Sequence, residues 1–119
     1  MIILDLETTG VDPKQHSIIS IGAIDFNNPE NHFYGECKLR ENALIDEYAF
    51  KINGFTLEKI NSTQKTCKEL LMDFLEWSKT IKNKTLGGHN THFDYNFLVE
   101  HLKFYNLEVP FRYRLVDLH

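Results

Sequence analysis

Only two of the 119 residues are cysteines, Cys37 and Cys67, with no C-x-x-C spacing and no Cys/His cluster around them. That scarcity argues against a zinc site and fits two free thiols in a reducing, intracellular (cytoplasmic) setting, with their pairing left open. Cys37 falls in a strand and reads as buried packing. No apolar run approaches the ~20 residues of a membrane-spanning helix, so no membrane association is expected. Met1 leads directly into a strand with no basic segment before it, which gives no sign of a signal peptide. Repeats, low-complexity tracts and linkers are lacking as well. Positive charge is also in short supply: 13 Lys and Arg against 17 Asp and Glu leave a formal net charge of −4. A protein that binds nucleic acid by charge alone is therefore disfavoured.

What is present suffices for one core. Apolar residues make up 42% of the chain, and residues 1–119 read as a single domain. Residues 1–5 read as a buried strand and Asp12-Pro13 as a turn. The isoleucine-rich stretch Ser17 to Phe26 reads as a second strand, with Gly22 as a bulge or close-packing point. Asn27 to Glu30 signals a hairpin turn into a third strand, His32 to Leu39. Short helical pieces are expected at residues 43–50 and from Thr56 to Ile60, with Asn53-Gly54 as a break between them. Thr66 and Glu69 have capping-box spacing, and Cys67, Leu70, Leu71, Phe74, Leu75 and Ile81 recur at helical intervals. Thr85 to Asn90 reads as a strand entering a loop. Asn90 or Thr91 is placed to cap a helix whose apolar side is Phe97, Leu98, Leu102 and Tyr105. Tyr113 to Leu118 reads as a final strand. The order β-β-β-α-β-α-β implies a mixed α/β sheet with helices packed on its faces.

The chemistry concentrates in Asp5-Leu6-Glu7-Thr8-Thr9-Gly10. A strand alternates its faces, so Asp5 and Glu7 point the same way at the end of an apolar run. Two carboxylates placed so repel each other and call for a divalent cation. Gly10 lets the backbone turn away and a ligand approach. A second stretch, Gly88-His89-Asn90-Thr91-His92-Phe93-Asp94-Tyr95-Asn96-Phe97-Leu98, carries an asparagine, two free positions, Phe-Asp and then Phe-Leu. Between them lies Lys51-Ile52-Asn53-Gly54-Phe55-Thr56. The first two stretches resemble the opening motifs of the DEDD 3'–5' exonucleases, the DnaQ-like and RNase T-like group. The middle one is similar to a weaker signature of that family, with Asn53 where a histidine is usual. Negative net charge is no obstacle to a nuclease, because carboxylates that hold metal ions supply much of it.

The resemblance implies an RNase H-like fold, with three antiparallel strands followed by parallel ones. It also implies phosphodiester hydrolysis at nucleic-acid 3' ends with two divalent cations, Mg²⁺ or Mn²⁺. Hard oxygen ligands suit these ions. Asp5 would bridge both metals, Glu7 would hold the water-activating one, and Asp94 would approach from across the cleft. Thr8, Thr9 and Gly10 would lie under the terminal nucleotide, and Phe93 near a base or sugar. Plainer roles compete. Asp94 also suits a helix N-terminus through the helix dipole. Thr8 and Thr9 also suit shaping a turn, Phe93 the core, and Asn90 a loop cap.

The family's third motif, with a fourth carboxylate and a histidine or tyrosine before it, is not found in these 119 residues. His89 and Asp94 have H-x4-D spacing but belong to the second motif. Asp117 reads as the residue that often ends the last strand in the family. The sequence therefore reads as an exonuclease domain incomplete at its C-terminus. Its activity would be weakened or lost, and its exposed apolar surface would favour self-association. The alternative is a non-catalytic exonuclease-like module that binds nucleic acid or a polymerase partner.

Overall fold

The computed structural model describes residues 1–48 and 54–118, with the backbone alone at 113–115. In chain order the elements are β1 (Ile2–Thr8), β2 (Ile18–Asp25), β3 (Asn28–Glu36), α1 (Leu57–Ser62), α2 (Cys67–Ser78), β4 (Thr85–Gly88), α3 (Thr91–Phe104) and β5 (Arg112–Asp117). The strands form one sheet in the order β3-β2-β1-β4-β5. β1, β2 and β3 are antiparallel neighbours. β4 runs parallel to β1, and β5 parallel to β4. This is the mixed sheet expected from the element order.

Alternation along β1 sets the two faces. Ile2, Leu4 and Leu6 are buried and join one core with Leu70, Leu71 and Phe74 of α2 and Phe97, Leu98 and Leu102 of α3. Ile3, Asp5 and Glu7 face the other way and are half-buried or exposed. Close approach is built in on both sides of β1. A side chain on Gly35 of β3 would collide with Leu70, and a Cβ on Gly88 of β4 would stand 2.6 Å from the Leu4 carbonyl oxygen.

The capping box forms as expected. Thr66 accepts from the Glu69 backbone N–H at 3.1 Å, and Glu69 accepts from that of Thr66 at 3.0 Å. Thr56 likewise caps α1. Ile81 is buried but lies beyond the end of α2. Cys37 and Cys67 are both free and buried.

Several boundaries differ from expectation, each for a local reason. β1 continues past residue 5 to Thr8 because pairing with β2 persists, with a register shift between Glu7 and Thr8. β3 starts at Asn28 rather than at His32, and its hairpin turn is Phe26-Asn27. Pro29 is tolerated there because β3 is an edge strand. Gly22 is no bulge: it pairs in register with Asp5 and Tyr34, and a Cβ there would make only ordinary contacts. Leu44 bridges to His16 instead of starting a helix. Only Glu47 and Tyr48 of the expected 43–50 helix are helical among the described residues, and Lys51-Ile52-Asn53 lie outside them.

Candidate active site

Asp5 and Glu7 are presented side by side on the outward face of β1. Asp94 comes from the first turn of α3, where a carboxylate is favoured by the helix dipole. Its side chain is 5% exposed. Burial raises its pKa to about 7, with the negative charges of Asp5 and Glu7 adding to the shift and a hydrogen bond from the Leu6 backbone opposing it. Glu7 is also raised, by burial first and by Asp5 second. The three carboxylates therefore sense one another, and Asp94 sits beside the backbone of β1 at Leu6.

The start of α3 is held in an unexpected way. Asn90 occupies the N-cap position in the left-handed region (φ 53°) and makes no side-chain cap bond. Asp117 of β5 does the capping: its Oδ1 accepts from the Thr91 backbone N–H at 2.8 Å. The Thr91 hydroxyl lies within hydrogen-bond reach of the Gly88 and Val116 carbonyl oxygens, at 3.0 and 2.8 Å. Strand β5, which follows in sequence, thus fixes the turn that carries Asp94.

The residues after Glu7 are committed to structure. Thr9 is fully buried. Its hydroxyl donates to the Leu44 carbonyl at 2.7 Å and accepts from the Ser17 backbone N–H at 2.8 Å, while its own backbone N–H donates to the Ser17 carbonyl. These groups are therefore engaged within the protein itself. The Thr8 hydroxyl donates to the Gly10 carbonyl at 2.7 Å. The space beside Gly10 is filled by the His16 ring, into which any side chain would collide. His16 Nδ1 accepts from the Asp12 backbone N–H at 3.1 Å. Phe93 is half-buried, with its ring 4.9 Å from that of Phe97.

Sequence reasoning missed three supporting side chains. His101 is fully buried in α3. Its Nε2 accepts from the Ile18 backbone N–H at 3.1 Å, which leaves Nδ1–H to donate to the Phe97 carbonyl at 2.9 Å. Arg40 donates to the carbonyls of Pro13 and Lys14 at 3.2 and 2.9 Å. Tyr34 lies in the same cross-strand row as Asp5, with Gly22 between them. The first two bridge long stretches of sequence, and only the alternation along β3 pointed to the third.

An all-oxygen donor set, with a buried carboxylate beside two others, chemically suits a hard divalent cation. Among the described residues, no three His, Cys, Asp or Glu side chains are drawn together as a ready-made metal cluster.

The sheet is mixed, with Asp5 and Glu7 on its strand β1 and Asp94 on the helix packed against it. Known proteins agree. The family model described as exonuclease matches residues 2–118. The DNA polymerase III subunit epsilon of Buchnera aphidicola subsp. Baizongia pistaciae is 37% identical over 113 residues, covering 88% of this chain and 44% of the relative. That of Rickettsia typhi is 40% identical, covering 82% of this chain and 42% of the relative. The 3'-5' DNA exonuclease Cap18 of Escherichia coli is 26% identical, covering 98% and 64%. A zinc-bound complex of E. coli exonuclease I with single-stranded DNA superposes with a TM-score of 0.79 at 16% identity, covering 98% of this chain and 27% of that one. The chain belongs to the DEDD, DnaQ-like exonuclease family and has its RNase H-like fold. It spans less than half the length of the epsilon subunits it matches.

Proposed function

We propose that this chain is a metal-dependent 3'–5' exonuclease module that removes mononucleotides from DNA 3' ends. The observation that carries this reading is the match of the exonuclease family model to residues 2–118, together with the placement of buried Asp94 on the helix that packs beside the strand of Asp5 and Glu7. The word DNA in the relatives' names favours DNA over RNA. Mg²⁺ or Mn²⁺ bound by Asp5, Glu7 and Asp94 would supply an activated water and neutralise the leaving oxygen. Asp5 and Glu7 offer their oxygens from the open face of the sheet. Asp94 would add its carboxylate from the helix side. Phe93 and the backbone at Thr8 and Gly10 border the place for a terminal nucleotide. An intracellular setting fits this work, and no described helix is long and apolar enough to cross a membrane.

A second reading is a binding module without catalysis, and the same experiment separates the two. The test is mononucleotide release from a 3'-labelled single strand in Mn²⁺. Slow release by the chain, abolished by Asp5→Asn and by Asp94→Ala, is expected. Release that persists in both variants would end the assignment of the site. Strand binding with no release at all would select the binding module.

A further inference from the structure

Cys37 and Cys67 take no part in the proposed hydrolysis. Cys67 follows Cys37 by 30 positions, yet both are 1% exposed and belong to one core. Backbone bonds bring their segments together. Just past β3, the Cys37 N–H donates to the Ile19 carbonyl at 3.1 Å, and the next N–H, that of Lys38, donates to the Lys65 carbonyl at 2.9 Å. Two residues beyond Lys65, Cys67 opens α2. A hydrogen bond joins the two thiols, and the Cys37 thiol also reaches the Ile18 carbonyl oxygen at 3.3 Å.

From Cys67 a line of polar groups runs outward. The hydroxyl of half-buried Tyr105, at the C-terminal end of α3, meets the Cys67 thiol and donates to the exposed Glu41 carboxylate at 2.6 Å. Hydrogen bonding with Cys67 first, and burial second, push the Cys37 thiol above its ordinary range. Cys37 is therefore held as a thiol behind its partner. An isolated buried cysteine is inert, whereas a thiol with a second thiol against it can resolve its own oxidation as a disulfide.

We infer that Cys37 and Cys67 form a reversible disulfide within one chain when the protein meets a hydroperoxide, with Cys67 oxidised first and Cys37 resolving it. With hydrogen peroxide, the Cys67 sulfur attacks one oxygen and the O–O bond breaks. The departing hydroxide takes the thiol proton and leaves as water. The Cys37 sulfur then attacks the Cys67 sulfenic acid and the S–O bond breaks. That hydroxyl leaves as a second water with the Cys37 proton. Two electrons pass from the sulfurs to the peroxide, and a dithiol reductant restores both thiols. The crosslink fastens the two ends of a segment that holds α1 and residues 44–46, which bond to Thr9. By restraining the unfolded chain it stabilises the fold.

In the experiment the full chain is exposed to hydrogen peroxide, remaining thiols are blocked, and unreduced peptides are mapped by mass spectrometry. The expected product is a monomer with no free thiol and a Cys37–Cys67 crosslinked peptide. Its Tm should lie about 10 °C above that of the reduced chain, and dithiothreitol should reverse both changes. Two thiols still free, or sulfinic acid in place of the crosslink, overturns the inference. So does a crosslink between two chains, or one that leaves Tm unchanged or lowers it, because the folded pair was then not the reacting species. In Cys67→Ala the gain in Tm should vanish, and mapping of the unaltered chain decides the question even where that variant fails to fold. These readouts involve neither DNA nor metal, so the exonuclease reading is tested separately.

Discussion

Asp5 and Glu7 differ sharply from Thr8, Thr9 and Gly10, although the five residues fall within one six-residue motif. The carboxylates lie on the open face of β1, and Glu7 is held above the usual carboxylate range by burial and by its neighbour. The three residues that follow are satisfied by the protein itself, with both hydroxyls bonded and the glycine packed on His16. One half of the motif carries two carboxylates side by side on the open face, the half to which the proposal assigns the cation. The other half is a joint that ties β1 to β2 and to residues 44–46. Substitutions in the two halves should therefore separate stability from ligand binding.

The largest effect is expected from Thr9→Val. It keeps the shape but strips the Ser17 N–H and the Leu44 carbonyl of their partner, a loss of about 4 kcal/mol in a denaturant titration. A stability change within about 1 kcal/mol would break the proposed division of the motif.

The next effect is a pH dependence. His101 is held at about 4, by burial first and by the Arg40 charge second, against an ordinary 6.5. The unfolded chain therefore binds a proton that the folded chain refuses between those values. The stabilisation from His101 is full above about pH 6.5 and falls away toward pH 4, by about 3 kcal/mol in all. Denaturation curves across this range should show the slope, and His101→Gln should flatten it.

Gly10→Ala comes third, at about 2 kcal/mol, because the new methyl group must displace the His16 ring. Detachment of that ring should appear as a changed His16 resonance, and an unchanged one would contradict the packing. The smallest effect belongs to the other half of the motif. Asp5→Asn should leave metal-free stability nearly unchanged. Wild type should gain about 1 kcal/mol at Mn²⁺ concentrations several times its dissociation constant, and Asp5→Asn should gain nothing. Equal Mn²⁺ stabilisation of both forms would detach Asp5 from the metal.

The features legible in the sequence were those with a local signature. Thr66 and Glu69 announced their capping box, the spacing of Leu70, Leu71 and Phe74 marked the buried side of α2, and the mixed sheet followed from the element order. The nearness of Asp94 to the strand of Asp5 and Glu7 was foreshadowed only by the match of two motifs, since Asp94 follows Glu7 by 87 positions. The supporting bonds carried no such sign. The contact of His101 with Ile18 spans 83 positions, that of Asp117 with Thr91 spans 26, and that of Arg40 with Pro13 spans 27. Asn90 looked like a cap by residue type. Its left-handed backbone and the nearby Asp117 gave that task to another strand.

The bond from Asp117 to Thr91 also has a consequence in time. A chain emerging from the ribosome presents Asp5, Glu7 and Asp94 well before residue 117. Until β5 docks, the first turn of α3 lacks its cap and Asp94 its fixed place. The turn that carries Asp94 thus takes its cap from a strand made 23 positions later, so a chain that ends before Asp117 lacks that cap.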